Sequence, residues 1–325
     1  MRPRITVPDD FPQVLTGTVA EKNLLPLGDV KIHLTKSENQ EELTARIKDS
    51  EAVINIRAYT KLTREVLSAC PKLRLVSIWG TGTDNVDLDA AKELGITVSS
   101  TPIANALSVA EHTLTILLTL ARQIPKMDRE VRLGQWPRGQ MVQMMGKVMG
   151  IIGLGAIGTH LAWMAKGIGM EVLAWTAHPS DERAKAAGVR FVSMEELLKA
   201  SDAVCMLLRL NKETSGFFQK GDFSLMKKTA FFVNTGRAGL VEEGALYEAL
   251  QSNKIAGAAL DCFDKEPLPP DSPLIGMTNV VLTPHNAGMT PEAIINGLIT
   301  AVQNVDDFFA QRGITPSSLV VQGIR

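Results

Sequence analysis

A strand, a glycine loop and a helix follow one another in the middle of this chain, and that order constrains its fold more than any other stretch. Lys147-Val148-Met149-Gly150-Ile151-Ile152 reads as a short buried strand, and Gly153-Leu154-Gly155-Ala156-Ile157-Gly158 is a G-x-G-x-x-G loop. His160 to Gly169 then reads as a helix, with apolar Leu161, Ala162, Met164 and Ala165. In such a loop Gly153 permits the tight turn, Gly155 lets the backbone approach a pyrophosphate, and Gly158 lets helix and strand pack closely. Ala156 and Ile157 lie where the helix begins, and a helix N-terminus offers unpaired N–H groups and a partial positive charge to phosphates. The bare glycine pattern is weak evidence. The flanking strand and helix make it a dinucleotide loop.

About 145 residues precede that strand, and they need a core of their own. A length of 325 residues implies about two domains. Apolar residues make up 45% and charged residues 21%, the balance of an ordinary globular protein. A formal net charge of −1 implies no polyanionic partner, so no nucleic acid is expected. The sequence has no stretch of eighteen apolar residues and no apolar signal region in Met1-Arg2-Pro3-Arg4-Ile5-Thr6-Val7, so no membrane partner is expected either. Cys70, Cys205 and Cys262 lack metal-ligand or C-x-x-C spacing. They read as buried small hydrophobes in a reducing compartment, which places the protein in the cytoplasm with no bound metal.

Short apolar runs alternate with helical patterns along the chain. Strands are expected at 5–7, 30–34, 52–56, 73–78 and 96–98, with helices at 41–48, 63–69 and 88–94 capped in part by Thr63 and Asp87. One long helical stretch runs from Ser108 to Leu133, broken or kinked near Pro125 and apolar on more than one side. It reads as a buried inter-domain helix. The alternation then resumes, with strands at 148–152, 171–175, 203–208, 230–234, 255–260 and 280–283 and helices at 194–200, 221–226, 242–251 and 291–310. The last helix follows a completed sheet and is expected to return to the first domain. The pattern is α/β, with doubly wound parallel sheets in both domains. The expected division is 1–102 with 289–325, and 103–288.

Three segments at strand ends carry candidate chemistry, because open α/β sheets bind ligands at the carboxyl ends of their strands. Arg237 lies in Val233-Asn234-Thr235-Gly236-Arg237, just past a buried strand. A guanidinium there can hold a carboxylate bidentately or cap surface carbonyls. Glu266 closes Leu260-Asp261-Cys262-Phe263-Asp264-Lys265-Glu266, and His285 follows an apolar strand in Thr283-Pro284-His285. A lone histidine is more often structural than catalytic. The three together change that reading. Reduction of a 2-keto acid needs a hydride donor, an acid for the carbonyl oxygen and a cation for the carboxylate. A histidine with a carboxylate partner suits the acid role, since the partner raises its pKa and fixes its tautomer.

With these motifs in their order, the chain resembles the D-isomer-specific 2-hydroxyacid dehydrogenase family, which includes D-3-phosphoglycerate dehydrogenases and glyoxylate/hydroxypyruvate reductases. The likeness runs from Val53-Ile54-Asn55-Ile56-Arg57 through Gly80-Thr81-Gly82-Thr83-Asp84-Asn85-Val86-Asp87, Asn105 and Ser108-Val109-Ala110-Glu111-His112 to the glycine loop and the three strand-end segments. It implies two Rossmann-like domains, the first flavodoxin-like, discontinuous and substrate-binding, the second dinucleotide-binding. It implies NAD or NADP as cofactor and a small 2-keto or 2-hydroxy acid as substrate, with hydride transfer at C2. The family's Arg, Glu and His fall on Arg237, Glu266 and His285. Backbone amides near Thr81 and Gly82 are implied to bind the substrate carboxylate, with Asn105 near the site. Asp261 is implied to lie by the nicotinamide carboxamide, with Thr235 also on the cofactor side. A homodimer built through the nucleotide domains is implied as well.

Other positions read less sharply. Arg57 ends a strand and is either a substrate contact or half of a surface ion pair. Glu111 and His112 lie on the long helix and read as structural. Trp136 reads as an interface anchor, with reach into a neighbouring subunit's site as the alternative. Four positions depart from the family pattern. Thr176 replaces the acidic residue that ends the second nucleotide strand, Arg209 stands where many relatives have proline, Ala238 replaces a glycine, and Asn286 follows His285 in place of an apolar residue. The first two bear on the cofactor, because loss of the acid removes repulsion of a 2′-phosphate and Arg209 is a candidate cation for it. The rival reading is a dinucleotide-sensing binding protein, corepressor-like, that keeps the fold as a scaffold.

Overall fold

The computed structural model describes residues 2–324. The first stretch folds as β1 (Arg4–Val7), α1 (Val19–Leu24), β2 (Asp29–Ile32), α2 (Gln40–Ile47), β3 (Ala52–Asn55), α3 (Arg64–Ser68), β4 (Leu75–Ile78), α4 (Leu88–Glu93) and β5 (Thr97–Ser99). The second runs α5 (Ala106–Ala121), α6 (Ile124–Arg132), β6 (Val148–Ile152), α7 (Ala156–Gly167), β7 (Glu171–Trp175), α8 (Asp181–Ala187), β8 (Arg190–Phe191), α9 (Met194–Ala200), β9 (Ala203–Met206), α10 (Lys220–Leu225), β10 (Phe231–Asn234), α11 (Ala245–Gln251), β11 (Gly257–Leu260) and β12 (Val280–Leu282). The chain ends with α12 (Pro291–Phe309) and β13 (Leu319–Val321). Two compact units result, residues 1–105 with 289–325 and residues 106–288. The junction falls at Asn105/Ala106, where the sequence pattern puts it at 102/103.

In the first unit the strand order is β13-β5-β4-β3-β1-β2. The β2-β1-β3-β4-β5 part is the flavodoxin-like order, all parallel. Both faces of this sheet are apolar. Ala52, Ile54 and Leu75 face one cluster with α1 and α12, while Val53, Val76 and Val98 face another with α2, α3 and α4. Successive side chains of a strand point to opposite faces, so continuous apolar runs demand helices on both sides. The last helix packs back on this unit as expected. Thr290 caps it, Pro291 occupies its first turn, and Ala293, Gly297, Leu298, Ala301, Val302 and Val305 form the buried stripe. The Ser77 hydroxyl donates to the Ala301 carbonyl at 2.9 Å. β13, which the sequence reading misses, pairs antiparallel with β5 at the sheet edge.

The second unit has the strand order β12-β11-β10-β9-β6-β7-β8, all parallel. Counted from β6 this is the doubly wound Rossmann order with one strand added. Met149, Ile151, Cys205 and Val233 pack under α5 and α7, and Ile152, Val204, Met206 and Phe232 pack on the other face under α9, α10 and α11.

Several boundaries differ from the sequence reading, three of them for a clear local reason. The long stretch from Ser108 is two helices, because Gln123 takes a left-handed φ of +50° and ends α5 before Pro125. Pro125 sits in the first turn of α6, where its missing N–H costs no hydrogen bond. Only α5 is buried, on one face through Val109, Ala110, Thr113, Ile116, Leu117 and Leu120, and α6 has no buried residue. The helix after the glycine loop starts at Ala156, directly on the loop, rather than at His160. The helix expected from Glu242 begins at Ala245, because Gly244 turns the chain at φ +76°.

The packing of α12 generates a test. A Cβ built on Gly297 falls against the Trp79 indole, 2.5 Å from Cδ1. Overpacking of this kind costs about 1–3 kcal/mol, against about 1 kcal/mol gained by replacing a helical glycine with alanine. Gly297→Ala is therefore expected to lower the denaturation midpoint of the first unit. A raised midpoint would show that the indole yields.

Candidate active site

The functional candidates of the second unit emerge from one edge of its sheet. At the end of β6, Gly153 turns at φ +105°, and a Cβ there would lie 2.8 Å from the Leu207 carbonyl carbon. Gly158 is buried, and a Cβ on it would strike the Gly153 carbonyl oxygen. Gly155, the N-cap of α7, differs from both: a Cβ there would stand in open space. Gly155 and Ala156 are exposed and Ile157 half-buried. The loop therefore presents bare backbone and the N–H groups of a 12-residue helix to the outside. That is the cradle a pyrophosphate needs, so the residues fit a dinucleotide.

Thr176 follows β7 and is half-buried. Arg209 lies exposed beyond β9, its carbonyl accepting from the Thr214 hydroxyl at 2.6 Å. The cation brought onto the glycine loop is Arg183 of α8. Its Nη2 donates to the Leu154 carbonyl at 2.5 Å and its Nη1 to the His178 carbonyl at 2.8 Å. The sequence offers Arg183, at the start of a helical stretch, as one candidate cation for a 2′-phosphate beside His178 and Arg209; the fold of the β7–α8 loop is what carries it back to the glycines.

At the end of β10, the Asn234 side chain ties the next turn. Its Nδ2 donates to the Arg237 carbonyl at 2.9 Å and its Oδ1 accepts from the Gly236 N–H at 3.0 Å. Asn234 was missing from the sequence-based candidates, although an Asn ahead of a glycine turn is a readable signal. Arg237 is half-buried, with Nη1 donating to the Gly236 carbonyl at 2.9 Å. Thr235 is buried, its hydroxyl 2.7 Å from that of Thr113 on α5.

His285 and Glu266 meet. His285 Nδ1 lies 2.8 Å and 2.9 Å from the two carboxylate oxygens, and the Phe263 N–H donates to Glu266 Oε1 at 3.0 Å. Burial alone would push the Glu266 carboxyl up. The hydrogen bonds from His285 and Phe263, with the positive charges of His285 and Arg237, outweigh burial and hold it below the usual carboxylate value. With Nδ1 engaged, Nε2 is the ring atom left to meet a reactant. His285 itself has a left-handed φ of +52°, uncommon for a residue with a side chain.

Asp261, at the end of β11, is almost fully buried at 1% exposure. Its Oδ1 accepts from the Thr283 hydroxyl at 2.6 Å and the Asn286 N–H at 3.0 Å, and its Oδ2 from the Ala287 N–H at 2.9 Å. Burial pushes this carboxyl up, but the hydrogen bonds from His112, Thr283, Ala287 and Asn286 prevail and keep it below its ordinary value. Much of its acceptor capacity thus serves the turn that bears His285.

The first unit carries the remaining candidates on loops after its own strands. The Thr81 hydroxyl donates to the Pro102 carbonyl at 3.0 Å, with Asn105 Oδ1 3.4 Å from the same oxygen, and the Gly80 N–H donates to Thr101 Oγ1 at 2.7 Å. The loops after β4 and β5 are thereby tied together, with Thr81, Gly82 and Asn105 half-buried. Arg57 follows β3, and the surface ion pair weighed for it does not form. It is buried at 8% exposure, its Nη2 donates to the Pro12 carbonyl, and its Nε has no partner. A buried, incompletely satisfied guanidinium is costly unless another group completes it.

Residues 114–287, just over half of the chain, match the NAD binding domain of the D-isomer specific 2-hydroxyacid dehydrogenases. The chain is 34% identical over 333 residues to a glyoxylate reductase of Korarchaeum cryptofilum, covering 100% of this chain and 97% of that protein. It is 40% identical over 275 residues to a D-3-phosphoglycerate dehydrogenase of Archaeoglobus fulgidus, covering 84% of this chain but 52%, about half, of that longer protein. Among solved structures, an acyclic imino acid reductase in complex with NADPH and D-Arg superposes with a TM-score of 0.88 at 28% identity, over 98% of this chain and 100% of that one. The chain belongs to the D-isomer specific 2-hydroxyacid dehydrogenase family.

Proposed function

We propose that this protein is an NAD(P)-dependent oxidoreductase acting on a small D-2-hydroxy acid or its 2-keto acid. The observation that carries the proposal is the His285–Glu266 pair, held at 2.8 Å at a strand end of the same parallel sheet that bears the glycine loop and Arg237. A binding protein needs the loop but not an acid–base pair beside it, so the pair favours catalysis over a sensing role.

The dinucleotide, when bound, supplies hydride for C2 of the keto acid or accepts it from the hydroxy acid. Gly153, Gly155, Ala156, Ile157 and Gly158 would hold its pyrophosphate, with Thr176 at the adenine ribose and Thr235 and Asp261 toward the nicotinamide. In reduction, His285 donates a proton from Nε2 to the carbonyl oxygen. Glu266 accepts from Nδ1–H, which fixes the tautomer and orients the ring. Arg237 holds the substrate carboxylate and polarises the carbonyl. Within the first unit, the backbone N–H groups at Thr81 and Gly82 are donors suited to a carboxylate, with Asn105 beside Thr81. Arg57 offers its unpartnered Nε to the substrate. Both NAD and NADP suit the adenine side: Thr176 repels no 2′-phosphate, and Arg183 places a cation on the glycine loop. The related imino acid reductase is described with NADPH.

Two further readings accompany the activity. All three cysteines are buried thiols, which fits the cytoplasm. No helix among the described residues is long and apolar enough to cross a membrane. The second unit leaves large apolar side chains exposed, notably Leu133 at 70%, Trp136 at 76% and Met145 at 62%. Such surface marks an interface, and we read it as the contact of a two-fold homodimer.

The central experiment screens glyoxylate, hydroxypyruvate, pyruvate, longer keto acids and 3-phosphohydroxypyruvate with NADH and NADPH. His285→Ala and Arg237→Ala are each expected to lower kcat/KM at least about a hundredfold on the best substrate. Wild-type rates in His285→Ala would overturn the acid assignment.

A second test follows from the lowered Glu266 carboxyl. A group with its folded-state pKa below its unfolded value of about 4.3 contributes stability above that value and loses it as pH falls through the lowered one. The stability advantage of wild type over Glu266→Gln should therefore be full at neutral pH and shrink as the pH drops below about 4. Paired melting curves across that range check it, and a constant gap would contradict it.

For the assembly, light scattering at micromolar concentration should give twice the chain mass of 35.2 kDa. A monomer mass would end the dimer reading.

A further inference from the structure

We infer that His112 is a positioning residue for His285, acting through Thr283 and Asp261. The inference rests on the proposed role of His285 as the proton donor. The sequence alone marks His112 as structural, one polar position on an apolar helix. Its surroundings assign it more. His112 projects from α5 with Nε2 at 3.1 Å from Thr283 Oγ1 and 3.5 Å from Asp261 Oδ1.

The direction of these hydrogen bonds follows from counting hydrogens. An ionised Asp261 can only accept, and a threonine hydroxyl has one hydrogen to give. The 2.6 Å contact from Thr283 to Asp261 Oδ1 uses that hydrogen. Toward His112 the Thr283 oxygen therefore offers a lone pair, so Nε2 of His112 carries the hydrogen between them. The chain of donation runs from His112 to Thr283 to Asp261.

That chain ends on the turn that matters. Thr283 lies two residues before His285, and Asn286 and Ala287 follow it. All three are fastened to the one Asp261 carboxylate. His285, at φ +52°, sits between the fastened residues. A residue in that backbone region persists only when its neighbours over-determine it. α5 does not need His112 to stay in place, since its buried apolar stripe anchors it on the sheet. The Thr283–Asp261 junction does need a donor, because Asp261 is shut off from water at 1% exposure. His112 supplies it. Without it, the carboxylate is less firmly oriented, the turn relaxes and the His285 ring loses its aim.

The test compares wild type with His112→Leu, His112→Gln and Thr283→Val in the full chain. The first substitution removes the donor, the second keeps an N–H at similar reach, and the third removes the relaying hydroxyl at similar volume. Hydrogen–deuterium exchange of the peptide spanning 283–288 should quicken at least about threefold in His112→Leu and Thr283→Val and stay near wild type in His112→Gln. On the best keto acid, kcat should fall about tenfold in the first and third variants and be largely restored in His112→Gln. Wild-type exchange and kcat in both His112→Leu and Thr283→Val would overturn the inference, as would equal damage in His112→Leu and His112→Gln. If His112→Leu does not fold, Thr283→Val against His112→Gln decides the same question. If wild type reduces no keto acid, the proposed function fails by itself, and the exchange comparison still shows whether His112 holds the turn.

Discussion

In the second unit's sheet all seven strands run parallel, and the chemistry depends on that constraint. Parallel strands release every following loop at one edge. The glycine loop, Thr176, the Asn234–Arg237 turn, the Asp261–Glu266 segment and the Thr283–Ala287 turn therefore share a rim, although 124 residues separate the first from the last. The buried carboxylate of Asp261 then joins two of these loops directly, since it belongs to one and holds the other. Geometry at the His285–Glu266 pair is thus inherited from a rigid sheet rather than from any single loop.

Much of this was legible in the sequence. Strands buried on both faces read as continuous apolar runs, and β6, β7 and β9 to β12 stood out for that reason. The glycine loop was legible because each glycine answers a different steric demand, and the structure shows the two tight ones and the open one. A carboxylate partner for His285 was expected from the chemistry of a histidine acid and from the family resemblance, and the pairing of β11 with β12 is what brings Glu266 to it.

What stayed hidden depends on tertiary contact. Nothing local announces that Arg183 folds back on Leu154, because its partners are carbonyls 29 and 5 residues away. β13 is a short run with no alternation to mark it, and pairing with β5 alone makes it a strand. The helix break was legible near Pro125, but the residue that makes it, left-handed Gln123 two positions earlier, was not. For Arg57 the sequence left a substrate contact and a surface ion pair open, and its burial beside the Pro12 loop could be known only from the fold.

The first unit is split, its segments being residues 1–105 and 289–325. Its later segment is integral: α12 fills one face of the core with Leu298, Ala301, Val302 and Val305. A ribosome making this chain therefore releases β1 to β5 with one face of their sheet only partly covered, by α1, and the rest of that face waits while the whole of residues 106–288 emerges. The second unit has all of its strands before α12 exists and can close its core during synthesis. Vectorial synthesis thus gives the two units different exposures to the crowded cell. The unit that starts the chain is the last to be complete.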